Sequence, residues 1–345
     1  MQKRIKMIEV DSAIGKTKLI ELNQHHTKVV ISTYGAGIFD FIYKGRQLLQ
    51  RPLSLDDYLQ SRSYYGKTIG RTSGRLFPPH FKIDDHLFEI KKTSHNDVHI
   101  HGGDDGFSFK TFELISYTYI DQQINITLRY VSKDLEGGYP GELTLDVIYS
   151  LNKYGALTIT YDAITTKDTL CNITNHIYFN LNEDKQNLDD TLIKVLANKY
   201  IETDQSFKPI SEKQVDQTPF DLLDFKPIND VLKTLNQSGI KGLNTAFSDV
   251  IKDRGPIVQL KQIKDRIGVD IYSTYPSVVI YTHDYPDHDV LISDKHHGVH
   301  GSIAIECQYE PAGIYLDELH DSILRKHQRY HEEIKFVPYT IKKDR

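Results

Sequence analysis

The sequence predicts an all-β protein: one large, mostly antiparallel β-domain over residues 1–345 with a few short helices. Three observations carry that prediction. Val, Ile, Thr and Tyr recur in short alternating runs, the composition of strands rather than helices. Aromatic side chains for a large core are plentiful, with 22 Tyr and 14 Phe, although Trp is absent. No βαβ alternation runs along the chain, which argues against a parallel nucleotide-binding sheet.

The elements follow in order. Lys18 to Leu22, Lys28 to Ser32 and Ile38 to Tyr43 read as strands separated by turn signals such as Tyr34-Gly35-Ala36-Gly37. Ser54 is placed to cap a short helix over Leu55 to Leu59. Phe81 to Ile83 and Leu87 to Ile90 form a hairpin around Asp84-Asp85-His86. Strands follow at Thr111 to Tyr119, Ile124 to Val131, Leu143 to Leu151 and Leu157 to Ala163. The Asn152-Lys153-Tyr154-Gly155 turn makes the last two an antiparallel hairpin. From Asn182 to Asn244 the pattern loosens into long loops, with one helix at Ile228 to Gln237. Strands resume at Ile257 to Leu260, Val269 to Ser273, Ser277 to Thr282 and Ser302 to Gln308, and Ile334 to Val337 closes the chain.

Composition narrows the function. The formal charge of −5 comes without a long basic block, which excludes nucleic acid and an anionic membrane as natural partners. Two cysteines, Cys171 and Cys307, fit a reducing compartment, and the N-terminus lacks the apolar segment of a signal peptide. No run approaches the roughly 18 apolar residues of a membrane helix. The expectation is a soluble, cytoplasmic protein.

Four segments could carry chemistry. In Thr174 to Leu181, an extended chain turns Thr174, His176, Tyr178 and Asn180 to one face, with Ile173, Ile177, Phe179 and Leu181 on the other. An imidazole flanked by a hydroxyl, a phenol and an amide suits a polyhydroxylated ligand, although a polar strand face can also be simply solvated. Glu306 shares a strand face with Ala304 and Gln308, where partial desolvation would make it a general base. His99-Ile100-His101 before Gly102-Gly103 could be a metal pair with Lys295-His296-His297-Gly298-Val299-His300, yet no defined ligand spacing joins them. Arg71 and Arg75 could form a fork to neighbouring sugar hydroxyls, or simply a surface ion pair.

Taken in order, these segments resemble the aldose 1-epimerases, or galactose mutarotases. Gly70 to Leu76 resembles that family's Gly-Arg-x-x-Asn-Arg-Ile element, and His99 to Gly103 its Asn-His-Leu-His-Gly-Gly. Gly138 to Thr144 is similar to its Gly-Tyr-Pro-Gly-Asn-Leu turn, and Thr174 to Leu181 to its Thr-Asn-His-Thr-Tyr-Phe-Asn-Leu strand. Ile305 to Gln308 with Pro311-Ala312 resembles Leu-Glu-x-Gln…Pro-Asp-Ala, and Gly242 to Phe247 resembles Gly-Leu-Asp-His-x-Phe. This chain departs from the pattern at Gly74, at Asn244 where an aspartate is usual, and after Pro311.

The resemblance implies a large antiparallel β-sandwich of the galactose mutarotase type. It implies cofactor-free, metal-free interconversion of the α and β anomers of a free monosaccharide resembling galactose or glucose. His176 would be the acid and Glu306 the base, with Arg75, His101 and Asn244 binding the sugar. The ring opens, rotates about C1–C2 and recloses, so a carboxylate and an imidazolium near neutral pH suffice. The acidic limb of the pH profile would then belong to Glu306 and the basic limb to His176. A monomer and a homodimer both fit. A glycosidase would need a second carboxylate, for which Glu310 lies beyond the strand. A non-enzymatic sugar-binding or sugar-sensing protein on the same fold also fits, as does a sugar-phosphate epimerase, which would need a basic phosphate pocket.

Overall fold

The computed structural model describes residues 4–12, 14–93, 98–286, 289–293, 299–311 and 313–342. Three antiparallel sheets organise them. The first has five strands, Ile5–Ser12, Gly15–Gln24, Thr27–Ser32, Gly37–Tyr43 and Arg46–Gln47, paired in chain order. A nine-stranded sheet runs Glu113–Ile120, Gln123–Ser132, Leu143–Leu151, Leu157–Thr165, Arg329–Thr340, Ile267–Ser273, Val258–Gln262, Thr191–Val195, Lys226–Pro227. A six-stranded sheet runs Ile177–Phe179, Ile303–Gln308, Ser277–Tyr281, Asn244–Val250, Ala197–Thr203, Pro209–Gln214.

Alternation explains why these segments are strands. Along Leu143–Leu151 every second residue is buried, and Leu157–Thr165 pairs with it from Leu151↔Leu157 outward. The hairpin turn is fixed locally: Asn152 Oδ1 accepts from the Tyr154 and Ala156 amides, and Gly155 takes a φ of +83° that favours glycine. The sheets share one core. Phe336 of the nine-stranded sheet packs on Phe41 of the first at 6.3 Å and on Phe179 of the third at 5.7 Å. Burial of such large side chains supplies the main driving force for the fold. Both predicted helices form. Ser54 caps Leu55–Gln60 by accepting from the Asp57 amide, and Ile228–Gln237 buries Ile228, Val231, Leu232 and Leu235 at helical spacing.

Two expectations need correction, and one strand, Ile5–Ser12, was not anticipated. Residues 182–244 are not loops alone, since Thr191–Val195, Ala197–Thr203 and Pro209–Gln214 lie there and extend two of the sheets. Pro209–Gln214 is an edge strand with no fully buried residue, so it carries no hydrophobic alternation to read. Ile5–Ser12 is likewise a strand without a buried residue, paired along its whole length with Gly15–Gln24. Thr174 to Leu181 is not one strand. Thr174–Asn175 pairs with Thr68–Ile69, Ile177–Phe179 pairs with Ile303–Ile305, and His176 sits at the break.

Candidate active site

His176 is held by its own peptide groups. Its N–H donates to Lys67 O at 3.0 Å and its carbonyl accepts from the Gly66 N–H at 2.8 Å. The Asn175 amide secures the same segment by donating to Gly66 O at 2.7 Å. Gly66 has φ +63°, and a Cβ there would lie 2.1 Å from Ile38 O, so only glycine fits. Glu306 lies inside the Ile303–Gln308 strand, opposite Val279, with neighbouring strands on both sides. Ile303, Ile305 and Cys307 enter the main core and Glu306 faces the cavity, as strand parity predicts.

The two side chains meet, with His176 Nε2 3.3 Å from Glu306 Oε1. They form the floor of a cavity of about 460 Å³ whose lining also includes Arg75, His101 and Asn244. The five residues expected to form a site therefore line one cavity. His101 completes the inner end, its ring 5.1 Å from that of His176 and nearly perpendicular. The Gly74 N–H donates to His101 Nδ1, which leaves His101 Nε2–H as a donor. Two rings lie near-parallel to the His176 imidazole, Tyr178 at 4.8 Å and Tyr64 at 5.8 Å. Tyr64 also meets His101 edge-on at 4.9 Å. No pattern in the sequence marked Tyr64, because the Tyr64-Tyr65 pair before a turn has no period to betray it.

Burial sets the electrostatics. His176 is 4% exposed and Glu306 2%, so both charged forms lose hydration. The Glu306 carboxyl is pushed up to about 8 by burial, opposed by the Arg75 guanidinium. The His176 imidazole is pushed down to about 3, again by burial. Burial also holds His101 well below the usual imidazole range, with the nearby His176 and Arg75 acting in the same direction. These directions run opposite to the expected limbs, because burial raises the carboxyl and lowers the imidazole. His176 Nδ1 and Glu306 Oε2 are buried with no partner among the described residues, which leaves capacity for a ligand.

Several sequence readings come apart. The Thr174 hydroxyl donates to Cys307 O, and the Asn180 amide to Gly301 O and Asn187 O, so neither faces a ligand. Arg71 is spent on the fold, donating to the Ser132, Lys133 and Pro140 carbonyls, while Arg75 alone reaches the cavity. His99 turns away to Lys91 O and the Tyr139 hydroxyl. It parts from His101 because His101 takes φ +52°, which breaks strand parity. Lys295 to Gly298 lie outside the described residues. Glu310 bonds His320 at 3.0 Å, leaving Glu306 the one carboxylate among the described lining residues. Among the described residues no two-carboxylate glycosidase site is assembled. The group that could hold a metal is a different one: His101, His176 and Glu306 offer ligand atoms within 4.8 Å of one another.

A profile of the aldose 1-epimerase family matches residues 18–337, and the chain belongs to that family. Relatives include maltose epimerase of Levilactobacillus brevis, 27% identical over 94% of this chain and 95% of that one. Human galactose mutarotase is 28% identical over 93% and 94%. Galactose 1-epimerase of Lactobacillus acidophilus NCFM shares the fold with a TM-score of 0.84 at 22% identity, covering 98% and 100%. The chain is thus an isomerase of aldose anomers on the mutarotase β-sandwich, as the motifs implied.

The His101–His176–Glu306 triplet generates a direct test. Dialysis against a strong chelator should leave the mutarotation rate unchanged, because proton transfer alone serves the reaction. Activity lost on dialysis and restored by zinc or manganese would make these three residues metal ligands instead.

Proposed function

We propose that Glu306 and His176 are the catalytic base and acid of a cofactor-free aldose 1-epimerase acting on galactose- or glucose-like monosaccharides. Arg75, His101 and Asn244 bind the sugar. The observation that carries this reading is the 3.3 Å contact between Nε2 and Oε1 at the floor of the cavity. The reacting oxygens O1 and O5 share one carbon, so a donor and an acceptor already in contact can reach both at once.

Between the two shifted values, about 3 and about 8, the pair carries one proton. In the empty cavity that proton rests on Glu306, since burial disfavours both charges. Substrate hydroxyls and the Arg75 guanidinium stabilise the carboxylate and move the proton to His176. Glu306 then takes the O1 proton while the C1–O5 bond breaks and His176 Nε2 protonates O5. After rotation about C1–C2, O5 attacks the other face of C1 and returns its proton to His176. O1 recovers its proton from Glu306, so no net charge is created. His101 donates through Nε2–H, and Asn244 offers one acceptor and two donors.

The names galactose mutarotase and maltose epimerase among the relatives support an aldose substrate. Two buried, unpaired cysteines support a reducing compartment, the cytoplasm. One hydrophobic cluster running from Ile20 to Phe336 supports treating residues 1–345 as a single domain.

Glu306→Gln and His176→Asn should each slow mutarotation of freshly dissolved α-galactose by about 10²–10⁴-fold with the fold intact. Near-wild-type rates by polarimetry in either variant would overturn the assignment. The pH profile follows from the proton count. Above about 8 the pair loses its only proton and has no acid, and below about 3 it holds two and has no base. The rate should stay level from weakly acidic to neutral pH and fall as pH rises through about 8. A basic limb at the ordinary imidazole value would contradict it.

A further inference from the structure

Two lysines, Lys67 and Lys185, are buried among main-chain carbonyls and take no part in the acid–base chemistry. Lys67 belongs to the turn that holds the catalytic histidine. Its N–H donates to Tyr64 O at 2.9 Å, and its carbonyl accepts from the His176 N–H at 3.0 Å. The side chain reaches back to the end of helix Leu55–Gln60, where Nζ donates to Ser61 O at 3.0 Å and Leu59 O at 3.5 Å. The rings of Tyr34, Tyr58 and Phe109 surround the ammonium, with centres 5.3, 5.4 and 5.4 Å from Nζ. Phe109 also meets the Tyr64 ring at 5.7 Å, and Tyr64 lies against the His176 imidazole. Lys67 is 0% exposed, and burial pushes its amine down to about 7. Arg62 acts in the same direction, while Asp289, which accepts from the Ser61 hydroxyl, opposes it. An apolar side chain would fill this space without losing hydration, so what the lysine adds is its bonds to the carbonyls.

We propose that Lys67 is a positioning residue for the epimerisation, whose side chain locks the Leu59–Gly66 segment so that His176 and Tyr64 stay aligned with Glu306. The inference rests on the acid–base reading of His176 and Glu306. His176 is bonded through both its peptide groups to Gly66 and Lys67, so a shift of this turn moves the imidazole. Glu306 is held in its own strand between two neighbours and stays where it is. Proton transfer through a pair 3.3 Å apart is sensitive to such a shift. A displacement of about 1 Å can lower a rate about 10²-fold. Arg75, His101 and Asn244 stand on other strands or turns, so sugar binding does not depend on this lock.

Lys185 supplies the control. Its ammonium donates to the Gln47, Asn180 and Asn182 carbonyls, and burial likewise pushes it down to about 7. The test is polarimetry on freshly dissolved α-galactose with the wild type, Lys67→Met and Lys185→Met, together with a thermal melt of each. Lys67→Met should lower kcat about tenfold with KM unchanged. Lys185→Met should lower the melting temperature with kcat unchanged. Lys67→Gln, whose amide can still donate from a shorter stem, should show the same selective loss of kcat and serves if Lys67→Met does not fold. Wild-type kcat in either folded Lys67 variant would overturn the proposal. An equal loss of kcat in Lys67→Met and Lys185→Met would overturn it too, as would a raised KM with kcat retained. Failure of both Lys67 variants to fold would make the role one of stability alone and overturn it as well. A wild-type protein that does not speed mutarotation would overturn the acid–base reading, and the positioning role with it.

Discussion

The contact between His176 and Glu306 at the buried floor of the cavity is the constraint on which the rest of the structure depends. Two ionisable groups side by side and away from water lose hydration that one hydrogen bond only partly replaces. The chain offsets that loss by fixing both backbones. Glu306 sits inside a strand with neighbours on either side, and His176 is bonded through both its peptide groups to Gly66 and Lys67. Neither residue can drift out to solvent without breaking sheet pairing. Burial then shapes the chemistry, because it raises the carboxyl and lowers the imidazole and so disfavours the charged form of each.

Much of this was legible in the residues. Strand parity placed Glu306 on the cavity side of its strand, and alternation located the hairpins of the nine-stranded sheet. Family-like segments spread along the chain marked residues that the fold does bring into one cavity. What escaped the sequence has physical causes. Edge strands such as Pro209–Gln214 bury no complete face and leave no alternation. Parity fails at His101, whose positive φ turns its ring away from the side His99 takes. Arg71 and Arg75 look equivalent in sequence, yet only the folded chain shows Arg71 surrounded by carbonyls. The direction of the His176 and Glu306 shifts depends on burial by residues distant in sequence, Tyr64 and His101 among those beside the imidazole.

The departures from the family motifs also acquire reasons. Gly74 has φ +69°, and a Cβ there would lie 2.8 Å from the Pro311 ring and 3.2 Å from the Gln308 amide. A side chain at this position has no room, so its loss is coupled to the way Pro311 packs on the loop. Asn244 stands at the start of its strand, paired with Tyr281, and lines the cavity without adding a second carboxylate. Glu306 thereby remains the one carboxylate among the described residues of the wall.

The central claim concerns where that proton resides, and nitrogen NMR of the His176 ring in the free enzyme tests it most directly. At pH 6 the account predicts a neutral imidazole, with distinct shifts for its protonated and unprotonated nitrogens, that persists well into the acid range. An imidazolium spectrum at pH 6, which gives way to neutral imidazole near the ordinary value of about 6.5, would contradict it.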